Sequence, residues 1–224
     1  MCNLKKFGLE FLCICAATFS SLEAAEPLVA TGPGTDARIA FDAPKPTLWE
    51  NGVGEGFQSS VQTLAVEAGA VQGIAVLGGM QSHDLGLLSV SYGHMLGHTV
   101  GVGHFYQGNW ELRGELFGGS QFAPTSDWVI GLTPHLRYNF ATGTRLVPYL
   151  DGGAGVTATS IGPPDLSNTF EFNLQATLGT HWFIRDNLAL TLEVRYFHMS
   201  CAGISDPNLG LNGVMGMIGL GFFF

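Results

Sequence analysis

A histidine and a serine, which together could do nucleophilic chemistry, stand two residues apart at the end of a strongly alternating segment, Asn187–Ser200. Its even positions are mostly apolar and end in His198 and Ser200, whereas its odd positions include Glu193 and Arg195. Successive side chains of a β-strand point to opposite faces, so His198 and Ser200 share the apolar face. A polar, potentially catalytic pair there makes little sense in a soluble protein. It makes good sense if the substrate is a lipid.

The composition of the chain favours a membrane barrel. Of its 224 residues, 46% are hydrophobic, only 12% are charged and 32 are glycine. No stretch approaches the roughly 20 apolar residues that a transmembrane helix needs. The net charge of −9 and the lack of Lys/Arg clusters argue against nucleic acid as a partner.

From about residue 61 onward, apolar and polar residues alternate with a period of two almost everywhere. This pattern predicts an all-β fold, an eight-stranded antiparallel transmembrane β-barrel with its apolar face outward. A soluble sandwich would bury that face instead, but its strands are usually shorter. The alternating segments lie at residues 63–70, 88–96, 110–116, 128–140, 145–157, 170–182, 187–200 and 212–224.

The polar face of these strands carries many charged residues. Because the interior of an eight-stranded barrel is filled by side chains, we expect a packed ionic lumen and neither a pore nor a catalytic cavity. The residues assigned to it are Glu67, Glu111, Arg113, Glu115, Arg137, Asp151, Glu171, Glu193 and Arg195.

Two prolines and the connection lengths bear on the geometry of the barrel. Pro134 and Pro148 fall inside strands, where each removes a ladder hydrogen bond, so we expect local bulges there. We expect tight turns at 141–144 and 185–187, and longer connections at 71–83, 118–127, 158–168 and 201–211. Short turns of such barrels face the periplasm, so the strand that starts near residue 187 runs outward. His198 and Ser200 then reach the outer-leaflet boundary, where the ester-bearing region of lipopolysaccharide lies.

The N-terminal part has the features of an export signal and an arm. Residues 1–25 combine two lysines, an apolar run and small residues, as a secretory signal peptide does. Residues 26–60 are rich in Pro and Gly, which predicts a periplasmic N-terminal arm before the barrel at 61–224. Its 49–57 part could cover the barrel's periplasmic mouth or form a loose tail. Removal of the signal would leave Cys201 alone, without an intrachain disulfide.

The segment from Arg195 to Asn212 resembles the signature of the PagL-type lipid A 3-O-deacylases, also called acyloxyacyl hydrolases. In that family His-x-Ser-Asn-Ala-Gly precedes a loop with Pro-Asn-x-Gly, and an acidic or amide residue opens the last strand. The resemblance covers the barrel from about residue 61 to the end. The segments at 108–117 and 136–140 also look like the family, although any barrel could use such strands.

This resemblance implies that Ser200 is the nucleophile, that His198 is its general base and that Asn212 is the third member. The spacing agrees, because residues i and i+2 of a strand share a face about 6.5–7 Å apart at Cα. Asn212 opens the antiparallel neighbour and could accept a hydrogen bond that fixes the imidazole tautomer. Backbone near Gly203 and the side chain of Asn208 are the family's candidates for stabilising the oxyanion.

Two residues depart from the family pattern. Cys201 follows the serine where the family usually has Asn, and Asn212 stands where the best-known members have Glu. A neutral orienting residue stabilises the developing imidazolium less than a carboxylate does, so slower turnover is expected. The sequence leaves open whether Cys201 compensates or marks a lost activity.

We therefore expect an outer-membrane esterase that hydrolyses an ester-linked acyl chain of lipid A, the lipid of lipopolysaccharide, without metal or cofactor. The first rival is a non-enzymatic small outer-membrane barrel, structural or adhesive, with a decayed deacylase site. The second is a small porin or a channel for hydrophobic ligands, which the bulky charged residues of the lumen disfavour. The acyl position that is cut, and whether the barrel forms a homodimer, stay open.

Overall fold

A computed structural model describes residues 47–76, 79–167 and 169–224. The expected signal peptide, residues 1–25, and the first part of the expected arm, up to residue 46, lie outside the described residues. In the described part, no helix is long and apolar enough to span a membrane.

Eight strands form one closed antiparallel barrel in which each strand pairs with its neighbours in sequence and β1 pairs with β8. The expected fold class is confirmed. The strands are β1 (Gln62–Gly73), β2 (Asp84–Met95), β3 (Gly108–Ala123), β4 (Asp127–Phe140), β5 (Leu146–Thr159), β6 (Phe170–Arg185), β7 (Leu188–Ser200) and β8 (Leu211–Phe223).

The alternation in sequence becomes an apolar outer wall and a polar interior. On β7, for example, Leu192 and Val194 are 44% and 60% exposed, whereas Glu193 between them is 4% exposed. The outer wall of aliphatic and aromatic side chains is what a barrel in lipid presents. The strand register therefore decides which residues of β7 and β8 face outward with His198.

The interior is a packed network of ion pairs, as expected. An Nη atom of Arg113 lies 2.7 Å from Glu67 Oε2, and one of Arg195 lies 2.7 Å from Glu115 Oε2. Buried charges are tolerated only when they are paired in this way, and removal of one partner leaves the other charge uncompensated. All nine residues assigned to the lumen are buried.

The segment after residue 47 packs against one end of the barrel and carries two buried aromatic rings. Trp49 and Phe57 stack with ring centroids 4.5 Å apart, and Phe57 stacks on Phe223 at 5.3 Å. The Phe57 backbone N–H donates to Asn109 Oδ1 at 2.8 Å. Of the two alternatives for this segment, a cover over the end of the barrel is confirmed and a loose tail is wrong.

The two prolines produce no bulge. Pro134 lies opposite Gly114, and Pro148 lies opposite Thr180, both in unshifted register. Pairing of β4 with β5 lapses between Leu132 and His135, but the register is the same on both sides. A proline removes a donor without adding a residue, so the ladder loses a bond and keeps its alignment. The expected bulges were therefore wrong.

One connection between strands is much shorter than expected. The expected long connection over 118–127 is wrong: β3 continues to Ala123 and β4 begins at Asp127, which leaves residues 124–126 between them. At the same end of the barrel lie the connections 74–83, 160–169 and 201–210. The connections 96–107, 141–145 and 186–187 lie at the opposite end, with both ends of the barrel chain.

Candidate active site

The register of β7 and β8 brings the three expected site residues together. His198 and Ser200 lie near the end of β7, and Asn212 is directly opposite His198. His198 Nε2 is 3.0 Å from Ser200 Oγ, and His198 Nδ1 is 2.8 Å from Asn212 Oδ1. A hydroxyl, an imidazole and an amide oxygen thus form one hydrogen-bonded chain.

The orientation of the Asn212 amide decides the tautomer of the histidine. Asn212 Nδ2 donates to the Val76 carbonyl oxygen at 2.9 Å, so Oδ1 faces the imidazole. Oδ1 can only accept, and His198 Nδ1 must therefore carry the proton. Nε2 is then free to accept the proton of the Ser200 hydroxyl. This is the arrangement that a general base beside a serine nucleophile requires.

Tyr196 belongs to this cluster and was missed by the sequence analysis. Its hydroxyl donates to Asn212 Oδ1 at 2.6 Å, beside the bond from His198. The signal in the sequence was its parity, since Tyr196 lies on the same face of β7 as His198. A tyrosine in the apolar wall near a strand end is also common in barrels as an interfacial residue, which hid this role.

The connection after β7 closes around the imidazole. Gly210 adopts a φ of +80°, and a Cβ atom placed there would lie 3.0 Å from His198 Cε1. The Gly210 N–H donates to the Asp165 carbonyl oxygen at 3.1 Å. Gly210 is thus suited to this position by its conformation and by its lack of a side chain.

Asp165 ties three connections together at this end of the barrel. Its carboxylate accepts from the backbone N–H of Met80 at 2.6 Å and lies 2.8 Å from His83 Nε2. Its carbonyl oxygen accepts from Leu209 and Gly210. No sequence motif pointed to this residue, because an acidic residue in a loop is ordinary. Its place in the site follows only from the tertiary contacts.

The two expected oxyanion residues lie in different surroundings. Asn208 Oδ1 accepts the Cys201 backbone N–H at 2.9 Å and lies 3.2 Å from the Cys201 thiol. Gly203 is exposed, with a φ of +77°. Within the described part of the chain, no hydrogen bond joins Gly203 to the Ser200–His198–Asn212 chain.

The orienting residue of the cluster is buried, whereas the two reacting residues are partly exposed. Asn212 is 2% exposed, while His198 and Ser200 are half-buried and reachable from outside the barrel. No group of three or more His, Cys, Asp or Glu that could hold a metal ion occurs among residues 47–76, 79–167 and 169–224. The arrangement can do acyl transfer by attack of a serine oxygen.

The model of the family "Lipid A 3-O-deacylase (PagL)" matches residues 84–221, well over half of the chain and including all three members of the cluster. The chain belongs to the PagL lipid A 3-O-deacylase family. The expected family is thereby confirmed, and membership places the chain among outer-membrane barrels.

Solved structures of outer-membrane proteins share the fold of this PagL-family chain. A crystal structure of the outer membrane enzyme PagL is 18% identical with a TM-score of 0.52, and the match covers 70% of this chain and 97% of that one. Neisserial surface protein A (NspA) is 16% identical with a TM-score of 0.51, over 74% and 98% of the two chains. At such identities the likeness shows the fold alone. No curated protein sequence matches the chain.

Proposed function

We propose that this PagL-family chain is a lipid A deacylase that hydrolyses an ester-linked acyl chain of lipopolysaccharide from the lipid-facing side of its barrel. The observation that carries the proposal is the hydrogen-bonded chain Ser200–His198–Asn212 on the outer wall. These hydrogen-bonded polar side chains serve no packing purpose on an apolar surface, where a polar group without a function is costly. A lipid ester is the substrate class that reaches it.

The position of the cluster along the strand supports this substrate. Ser200 ends β7, which begins at Leu188 near the end that carries both ends of the barrel chain. Eleven residues of a strand tilted by about 45° climb roughly 25 Å, about the height of the apolar band. With the short turn 186–187 in the periplasm, Ser200 lies at the outer-leaflet boundary, where the esters of lipid A lie.

The reaction proceeds in two acyl transfers. Ser200 Oγ attacks the ester carbonyl carbon while His198 Nε2 takes the hydroxyl proton, and Asn212 Oδ1 holds the imidazolium through Nδ1–H. His198 gives this proton to the sugar oxygen as the ester bond breaks. The acyl group stays bound to Ser200 Oγ. A water molecule, deprotonated by His198 Nε2, then attacks the carbonyl carbon of the acyl-enzyme. The fatty acid leaves as its bond to Ser200 Oγ breaks, and His198 returns the proton to that oxygen.

Asn208 is the donor that we assign to the oxyanion. Its Oδ1 is held by the Cys201 N–H, so its Nδ2 is the group available to a substrate. A side-chain amide donor of this kind contributes about 10²–10³-fold to kcat in other acyl-transfer sites. Gly203, whose backbone N–H lies in the same connection, is the second donor in this proposal.

The rival is a barrel of the same family whose site has decayed, and Neisserial surface protein A has this fold without being described as an enzyme. The intact hydrogen bonds of the cluster, despite Cys201 and Asn212, argue against decay.

The test is incubation of the purified, detergent-folded protein with lipid A, with released fatty acid measured by mass spectrometry. Release by the wild type and none by Ser200→Ala supports the deacylase. No release by either supports the rival.

A further inference from the structure

A histidine and an aspartate form a buried pair at the end of the barrel that carries the candidate active site. His83 Nε2 lies 2.8 Å from Asp165 Oδ2, and the two side chains are 3% and 0% exposed. They belong to different connections, the one before β2 and the one before β6. Neither residue belongs to the hydrogen-bonded chain of Ser200, His198 and Asn212. Because a buried polar pair is costly unless every partner is bonded, its contacts indicate what it holds in place.

The hydrogen-bond partners of His83 show that its ring is positively charged. Gln121 Nε2 donates to the Thr125 carbonyl oxygen at 3.2 Å, so Gln121 Oε1 faces His83 Nδ1, at 2.7 Å. The other ring nitrogen faces the carboxylate of Asp165. An amide oxygen and a carboxylate oxygen only accept, so both ring nitrogens donate. His83 therefore holds the Asp165 carboxylate in one orientation against the end of β3.

The carboxylate of Asp165 also fixes the backbone of the connection before β2. Its Oδ1 accepts the Met80 backbone N–H at 2.6 Å, and its Oδ2 accepts the Gln81 backbone N–H at 3.0 Å. Hydrogen bonds to an ionised acceptor are roughly twice as strong as those between neutral groups. Next to Met80, the Gly79 N–H donates to the Val76 carbonyl oxygen at 3.2 Å. Val76 is thus tied to the residues that the carboxylate anchors.

Val76 extends this anchoring to the candidate active site. Its carbonyl oxygen also accepts from Asn212 Nδ2 at 2.9 Å, and this bond turns Asn212 Oδ1 toward His198. Gly79 lies near the same amide, since a Cβ atom placed on it would be 3.9 Å from Asn212 Nδ2. The Asp165 carboxylate is therefore linked through one short piece of backbone to the amide that orients the imidazole.

The main chain of Asp165 makes a separate contact with the site. Its carbonyl oxygen accepts from the N–H groups of Leu209 and Gly210, and Gly210 lies against His198. Every variant of the Asp165 side chain keeps this carbonyl group. A change of the side chain therefore acts first on the route through Val76.

We propose that Asp165 and His83 are positioning residues for ester hydrolysis, which act through Val76 to hold the Asn212 amide with its oxygen toward His198. The proposal rests on the proposed deacylase function and names two residues outside its catalytic chain on which the rate depends. Without the anchor, the amide can turn its Nδ2 toward the ring. The imidazole then carries its proton on Nε2 and cannot accept the proton of the serine hydroxyl.

Asp165→Asn and His83→Gln test the anchor, and Glu50→Gln is the matched control. Glu50 also accepts a backbone N–H, that of Thr99, and also lies beside a histidine, but at the opposite end of the barrel. Misplacement of a reacting group by about 1 Å can cost on the order of 10²-fold in rate. We expect kcat to fall about tenfold for Asp165→Asn, with KM within about twofold because the buried pair does not meet the substrate. The loss should be smaller for His83→Gln and below about twofold for Glu50→Gln.

A double-mutant cycle separates positioning from a purely structural role. If Asp165 acts through Asn212, Asp165→Asn should lower kcat by less than about twofold in the Asn212→Leu background, where no amide is left to orient. A loss by the same factor in both backgrounds would mean that the pair only stabilises the barrel end, and it would overturn the proposal. So would an Asp165→Asn protein with the kcat of the wild type.

The tautomer of His198 gives a readout that does not depend on activity. Nitrogen-15 NMR shifts of its ring, assigned with His198→Gln, should show the proton on Nδ1 in the wild type and in Glu50→Gln. Asp165→Asn should move the proton toward Nε2, and an unchanged tautomer would overturn the proposal. A wild type that releases no fatty acid overturns the proposed function, whereas the tautomer still tests the anchor. Folding is checked by heat-dependent gel mobility, and His83→Gln supplies the answer if Asp165→Asn does not fold.

Discussion

Nδ1 of His198 lies 2.8 Å from Oδ1 of Asn212, across a directly opposed pair of β7 and β8. A neutral amide therefore occupies the place of an orienting carboxylate. Because its Nδ2 is bound to the Val76 carbonyl oxygen, the amide cannot turn its donor toward the ring. The orientation of His198 is secured even though the charge that would stabilise the imidazolium is absent.

Asn212→Leu tests this orienting role. Leucine branches at the same carbon but has no acceptor for the Nδ1 proton, so the imidazole loses its preferred tautomer. We expect kcat for ester hydrolysis to fall by on the order of 10²-fold or more, with the barrel still folded. The kcat of the detergent-folded wild type and of the variant is measured by steady-state kinetics. Unchanged kcat would remove Asn212 from the mechanism.

Tyr196→Phe removes one of the two hydrogen bonds to Asn212 Oδ1. Asn212 keeps its bonds to Val76 and His198, so we expect a loss in kcat of only about 2- to 12-fold, as one hydrogen bond is worth. Tyr92→Phe is the matched control, because that outward tyrosine donates to Gln62 on the barrel wall, between β2 and β1. If both variants lose the same activity, the effect is not specific to the site.

Asn208→Asp keeps the acceptor oxygen of the side chain and removes its amide donor. The carboxylate can still accept the Cys201 N–H but has no Nδ2 donor for an oxyanion. We expect kcat to fall by about 10²–10³-fold with little change in KM. Cys201→Ala keeps the backbone N–H and serves as the control, with a much smaller loss expected. A fully active Asn208→Asp protein would exclude this oxyanion donor.

Glu50 makes the contact between the 47–60 segment and the 96–107 connection depend on pH. Burial raises the pKa of Glu50, but hydrogen bonds from Thr99 and the neighbouring His98 outweigh it and hold the pKa below its usual value. A lowered pKa in the folded state contributes stability that is present above the unfolded pKa, about 4.3, and is lost as the pH falls. We expect pepsin cleavage of the 47–60 segment to accelerate as the pH falls below about 4.

Glu50→Gln is the control for that experiment. The amide does not titrate, so cleavage of the variant should change less with pH than cleavage of the wild type. Parallel pH profiles for the two proteins would show that another group controls this contact.

Much of this architecture could be predicted because it follows from one-dimensional patterns. The period-two alternation determined the face of His198, Ser200 and Asn212, and the ionic lumen followed from the same parity. The end of β3 could not be predicted, since the Gly-rich stretch before Ala123 resembles a loop. The bulges expected at Pro134 and Pro148 are absent because a proline removes a ladder donor without adding a residue to the strand.

The parts of the site that were missed depend on contacts between distant segments. Asp165 acts through backbone groups of two other connections, and Val76 orients Asn212 over a sequence separation of 136 residues. Such contacts leave no periodic trace in the sequence. Tyr196 had the right parity, but its hydroxyl gained a role only when the register placed Asn212 beside it.

Mass spectrometry of lipid A from a Gram-negative host that produces the protein would show whether Ser200 removes an acyl chain. We predict that wild-type protein removes the mass of one acyl chain and that Ser200→Ala, present in the outer membrane in equal amount, removes none. Lipid A that is unchanged with folded wild-type protein, or equally changed with Ser200→Ala, would show that Ser200 does not deacylate lipid A.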